Sequence, residues 1–132
     1  MTVNPPSARD RGLQLLREGS LADSVEFLLQ AIVEDPADVD AYLYLALAYA
    51  RQGNFDKCVS LLEQAVDLAP DSAKVHYNLG VAYHKAQNLT QAKDSYLRAI
   101  GLDPNYAAAK NAFEMLTSSS GTGETESSPA DS

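Results

Sequence analysis

The chain is poor in cysteine, poor in basic residues and free of long apolar runs, and each scarcity removes a class of function. A single cysteine in 132 residues, Cys58, leaves no internal disulfide to form. Ten Lys and Arg against 18 Asp and Glu give a net charge of −8, which argues against nucleic acid and against an anionic membrane as principal partners. No stretch approaches the roughly 18 uncharged apolar residues of a membrane-spanning helix, and Met1 to Asp10 holds no apolar core of signal-peptide length. A soluble, cytoplasmic protein is the expectation. Gly-rich phosphate loops, serine elbows and carboxylate pairs placed for acid–base work are missing as well, so no enzyme activity, no catalytic residue and no cofactor is expected. His76 and His84 stand too far apart for a two-histidine metal site at i, i+4 spacing, and no metal is expected either.

What is present is periodicity. Pro36, Pro70 and Pro104 recur at an interval of 34 residues, and the positions between them recur with them. Gly12, Ala46 and Gly80 share one column; Leu15, Tyr49 and Tyr83 another; then Leu21, Phe55 and Leu89; Ser24, Cys58 and Ala92; Leu28, Leu62 and Tyr96; Ala31, Ala65 and Ala99. Helices cross closely only where side chains are small, so small columns mark close approach and large ones the filling beside it. Cys58 sits in a small column and reads as a buried thiol, not a nucleophile.

Within each unit the apolar spacing is helical, as in Leu61, Leu62, Ala65, Val66 and Leu68. Gly19-Ser20, Gly53-Asn54 and Gln87-Asn88 break the units midway, with Asn88 expected in the left-handed conformation that glycine supplies in the other two. The prolines close each unit, and Asp38, Asp71 or Ser72, and Asn105 are placed to cap the next helix. Helices are therefore predicted at about 5–18, 21–34, 38–52, 55–68, 72–86 and 89–102, and a seventh, capping helix at 106–116. The organisation predicted is a disordered 1–4, repeats at 5–37, 38–71 and 72–105, the cap, and a disordered acidic Ser/Thr-rich tail at 117–132.

The pattern resembles the tetratricopeptide repeat. His76, Leu79-Gly80, Tyr83, Ala92, Tyr96, Ala99 and Pro104 carry it in the third unit, and Tyr42, Leu45-Ala46, Tyr49, Cys58, Leu62, Ala65 and Pro70 in the second. The first is degraded, with Ala8 and Arg11 at positions of large apolar residues. The resemblance implies an all-α, right-handed α-solenoid of three helical hairpins plus a cap, and a protein that binds other proteins. His76 is then core filler, and His84 is placed on the open face.

In such an array the first helix of each hairpin lines a concave groove. The inward positions are Arg9, Leu13, Leu16 and Arg17; Leu43, Tyr44, Leu47 and Arg51; and Lys74, Tyr77, Asn78, Val81, His84 and Lys85, with Asn111 and Met115 on the cap continuing the line. Five of the ten basic residues fall there, while Asp23, Glu26, Glu34, Asp56, Glu63, Asp67 and Asp94 mark the second helices. A basic, aromatic-bearing trough fits a peptide with acidic and apolar side chains. Members of the family that hold the free C-terminus of heat-shock chaperones use Lys, Asn, Asn, Lys and Arg at positions that here are Arg9, Leu13, Tyr44, Lys74 and Asn78. Only Lys74 matches outright, and Leu13 and Tyr44 offer no amide donor, so that ligand is disfavoured. A scaffold or adaptor binding one segment of a partner is the leading expectation. Self-assembly into a homo-oligomer, and service as an accessory domain to a catalytic partner, are the alternatives.

Overall fold

A computed structural model of the chain describes residues 5–118. Among these the fold is all helix: α1 (Ala8–Glu18), α2 (Leu21–Glu34), α3 (Val39–Arg51), α4 (Phe55–Leu68), α5 (Ala73–Lys85), α6 (Leu89–Leu102) and a seventh helical stretch, α7, at 107–118. None is long and apolar enough to cross a membrane. The chain divides into two compact units, Met1–Pro70 and Asp71–Ser132.

The first unit holds two hairpins. Its entry is three residues shorter than predicted: Pro5-Pro6 is ill suited to helix, and Ser7, in extended conformation, becomes the N-cap whose Oγ accepts from the Asp10 N–H at 3.1 Å. Gly19 (φ +84°) ends α1 and Gly53 (φ +80°) the turn after α3, both left-handed as the midway breaks require. Asp38 caps α3 through the Ala41 N–H, and Asn54 caps α4 through the Lys57 N–H. Gly12 lies so close to α2 that a Cβ there would sit 2.5 Å from Leu28 Cγ. Beside it the buried Ser24 hydroxyl donates to the Gly12 carbonyl at 2.7 Å. Leu28, Leu45, Leu62 and Ala65 are buried, and each leucine contributes roughly 1.5–3 kcal/mol. The Tyr42 hydroxyl donates to the Pro36 carbonyl at 2.9 Å and so fastens α3 to the close of the preceding hairpin. Cys58 is buried as expected, and burial pushes its thiol up to about 11.

The second unit repeats the plan. Ser72, not Asp71, caps α5, accepting from the Val75 N–H. Gly80 crosses α6 where a Cβ would lie 2.5 Å from the Tyr96 ring, and His76 is buried, which agrees with core filler. Two turn assignments need correction. The left-handed residue is Gln87 (φ +68°), while Asn88 (φ −92°) holds the N-cap position of α6. Gln87 falls 34 residues after Gly53, so the repeat register fixes the backbone and overrides the side-chain preference that pointed to Asn88. Likewise Asn105 does not cap α7: Tyr106 stands at its start, one residue on, while the Asn105 N–H turns back to Asp103 Oδ1 at 3.1 Å. The helix also runs two residues past its predicted end, with the Thr117 hydroxyl donating to the Phe113 carbonyl at 3.0 Å. The expectations for 1–4 and for the tail from 119 onward lie outside the described residues.

Candidate functional site

The candidate residues lie on the first helices of the hairpins, and the structure sorts them by what else each side chain is doing. In the first unit Leu13 and Tyr44 are half-exposed, Leu47 is 42% exposed, and Arg17 is exposed. Leu16 and Leu43 are buried, at 2% and 7% exposure, and do not belong to an open face. Helical periodicity alone placed them there, and it cannot tell which flank of a helix is covered.

The two remaining candidate cations of this unit, Arg9 and Arg51, are already engaged. Arg9 Nη1 lies 3.4 Å from Asp38 Oδ1 and 4.0 Å from Asp40 Oδ2, and its Nε lies 3.6 Å from Asp10. Asp38 above all, against a smaller opposing effect of burial, raises the arginine's pKa further. Arg51 donates through Nη1 to the Leu16 carbonyl at 3.1 Å, a second donor to an acceptor in the last turn of α1 that already receives the Gly19 N–H. Both were expected to face a ligand. Arg11, a polar residue where the second and third hairpins have Leu45 and Leu79, is exposed and lies over the Phe27 ring at 5.9 Å. An open depression of about 560 Å³ beside the start of α1 is lined by Pro5, Pro6, Arg11 and Phe27 among others, none of them a candidate residue.

In the second unit the balance is different. Lys74, His84 and Lys85 are exposed, Asn78 and Val81 half-exposed, and among the described residues no carboxylate lies within ion-pairing distance of Lys74 or Lys85. Tyr77 is half-buried, its ring 5.9 Å from that of Tyr96 and 5.3 Å from that of Tyr106. Tyr96 is pushed up to about 12, by burial first and by Tyr77 second, and burial raises Tyr106 as well. On α7, Asn111 is exposed and Met115 is 69% exposed.

A shared geometry explains two of the engaged residues. Arg9 and Tyr77 occupy one repeat column, and each reaches the residue at the start of the following first helix, Asp38 and Tyr106, which share a second column. From sequence, Asp38 read only as a helix cap and Tyr106 only as the first residue of the capping helix. The 34-residue spacing that links 38, 72 and 106 was the signal that these positions meet a neighbour.

The tetratricopeptide repeat profile matches residues 38–105, and a second profile of the same description matches 9–57. The chain belongs to the tetratricopeptide repeat family. Its fold class is accordingly the all-α solenoid type of that family. Solved structures agree over most of its length. The first such domain of Spaghetti (RPAP3), bound to the HSP90 peptide SRMEEVD, is 23% identical with a TM-score of 0.80 over 89% of this chain and 98% of its own. The second such domain of human RPAP3, in complex with the HSP70 peptide SGPTIEEVD, is 22% identical with a TM-score of 0.79, covering 84% and 92%. MamA is 24% identical, with a TM-score of 0.76 over 92% of this chain and 67% of that one. At these identities the likeness is one of fold. No curated protein sequence matches the chain.

Proposed function

We propose that the protein is a non-catalytic interaction module, a scaffold or adaptor, that takes a peptide segment of a partner protein on the exposed faces of its first helices. The observation that carries this reading is the set of solvent-facing apolar and cationic residues on the first helices, in which Leu13, Leu47 and Val81 share one repeat column. The set is Leu13, Tyr44 and Leu47 in the first unit, and Lys74, Val81 and Lys85 in the second. Exposed apolar side chains on a repeat surface are the groups a partner's anchors would cover. That neighbours of the same fold carry acidic-ended chaperone peptides supports a peptide as the ligand class. The co-chaperone version of the reading is weaker in this chain: Leu13 and Tyr44 stand where amide donors would be needed, and Arg9 is occupied by Asp38.

The test is affinity capture from the source cells with the full chain, beside a variant carrying Leu47→Asp and Lys74→Glu, followed by reconstitution with the purified partner. Binding by the wild type and its loss in the folded variant are expected. Equal binding by both would move the working surface elsewhere. A stable dimer in light scattering, with the same substitutions dissociating it, would favour self-assembly instead.

A further inference from the structure

The second unit carries a charge pattern that specifies its ligand more closely, and the step rests on the reading of the first-helix faces just given. Lys74, Asn78, Val81 and Lys85 recur at i, i+4, i+7 and i+11 and so form one stripe along α5. Its two lysines are exposed and unpaired among the described residues, in a chain of net charge −8. A rise of 1.5 Å per residue sets them about 16 Å apart along the axis. That separation decides what they fit. A free C-terminal carboxylate needs several donors converging on one point. Two cations about 16 Å apart suit two separate acidic side chains, and in an extended peptide at roughly 3.3 Å per residue these fall about five positions apart. Between the lysines the stripe is not charged: it offers Val81, half-exposed, with the Tyr77 ring beside it braced by Tyr96 and Tyr106.

We infer that α5 of the second unit binds an internal, extended segment of a partner protein in which two Asp or Glu residues about five positions apart flank an apolar side chain, with no part played by the segment's C-terminus. The end lysines set the register and steer the approach; Val81 takes the apolar residue.

Synthetic fluorescent peptides blocked at both ends, with two glutamates separated by two, five or eight positions around a central leucine, test this against the full-length chain by polarisation. SRMEEVD with a free and with an amidated terminus is the control. The five-position peptide should bind about tenfold more tightly than the others. Lys74→Glu and Lys85→Glu should each weaken it by about tenfold, and replacing the matching glutamate by lysine should restore binding to the Lys85→Glu variant. Circular dichroism confirms that the variants fold. Affinity independent of spacing, or binding only to the free-acid control, would overturn the inference. If the captured partner is lost from the Leu47→Asp, Lys74→Glu variant yet the spaced peptides do not compete with it, the inference falls while the proposed function stands. If capture survives those substitutions, the proposed function itself falls.

Discussion

The two units are built from the same repeat and use its first-helix face in different ways. In the first, Arg9 and Arg51 are committed within the unit, one to Asp38 and the other to the Leu16 carbonyl, so the face that remains is mainly apolar, Leu13, Tyr44 and Leu47, with the exposed Arg17 as its cation. In the second, Lys74 and Lys85 stay unpaired among the described residues, and the aromatic residue Tyr77 is the one drawn into packing. Repeat columns therefore predict where a side chain starts and not what it ends up doing. Whether a cation is a binding group depends on a carboxylate elsewhere in the fold.

The hairpin crossings are where that comparison can be broken most forcefully. Gly12 and Gly80 are equivalent by register, but an added Cβ meets Leu28 Cγ and Cδ2, with the Leu28 backbone N at 3.3 Å, in one unit and the Tyr96 ring, itself packed on Tyr77, in the other. Leucine swings aside more readily than a braced ring. Gly80→Ala should therefore cost about 1–3 kcal/mol, more than Gly12→Ala, and Gly80→Leu or Ala65→Asp should cost more still through overpacking or a buried unpaired charge. Thermal melts of the four variants check this, and equal losses for the two alanine variants would mean that ring and leucine yield alike.

Alkaline pH should act on Cys58 in the first unit and on Tyr96, beside Tyr106, in the second. Cys58 and Tyr96 are raised to about 11 and about 12, because burial disfavours the charged form. A raised pKa means that the folded state holds its proton more tightly than the unfolded one. The stability is thus fully present below the unfolded values of 9.0 and 10.0 and is lost as pH rises toward the folded ones. Each group accounts for up to about 2–3 kcal/mol of that loss. The first unit, through its thiol, should begin to weaken at lower pH. Melting temperatures measured from pH 8 to 11 should flatten for Cys58→Ala, and a wild-type thiol that alkylates rapidly at pH 8 would contradict its burial.

Legibility in the sequence divides along the same line. The proline interval and the small columns placed the hairpin crossings at Gly12 and Gly80, because close packing demands small residues whatever surrounds them; α2, α4 and α6 begin and end where the spacing put them. Turns were legible where glycine announced them. The candidate faces were legible only in part. Periodicity identified Leu47, Lys74 and Lys85 as groove-facing, and the structure leaves them exposed. It also identified Leu43 and Leu16, which are buried, and Arg9, which is paired, since coverage and pairing depend on contacts about 30 residues away in the chain.

Removing charges sharpens the contrast between committed and free cations. Arg9→Ala removes the cation beside Asp38, which keeps the Ala41 N–H, and Arg51→Ala removes one of the two donors to the Leu16 carbonyl, so each should lower stability by up to about 1 kcal/mol. Lys74→Ala and Lys85→Ala should leave the melting temperature unchanged. Denaturant unfolding of the four single variants gives the answer, and a lysine variant that destabilises as much as Arg51→Ala would reveal a structural partner for that lysine.

The smallest effect concerns the three midway turns. Gly19, Gly53 and Gln87 occupy one register and all have positive φ, but only the last carries a side chain there. A non-glycine residue in the left-handed region costs roughly 1 kcal/mol by crowding its Cβ against the backbone, and a glycine offsets part of that gain through its larger unfolded entropy. Gln87→Gly should therefore stabilise the second unit by up to about 1 kcal/mol, while Gly53→Ala should destabilise the first by a similar amount. Neither glycine has any atom within 4 Å of where a Cβ would sit, so the Gly53→Ala effect isolates backbone conformation from packing. If Gln87→Gly instead lowers the melting temperature, the glutamine side chain contributes a contact that outweighs its backbone strain, and the third turn is held together differently from the other two.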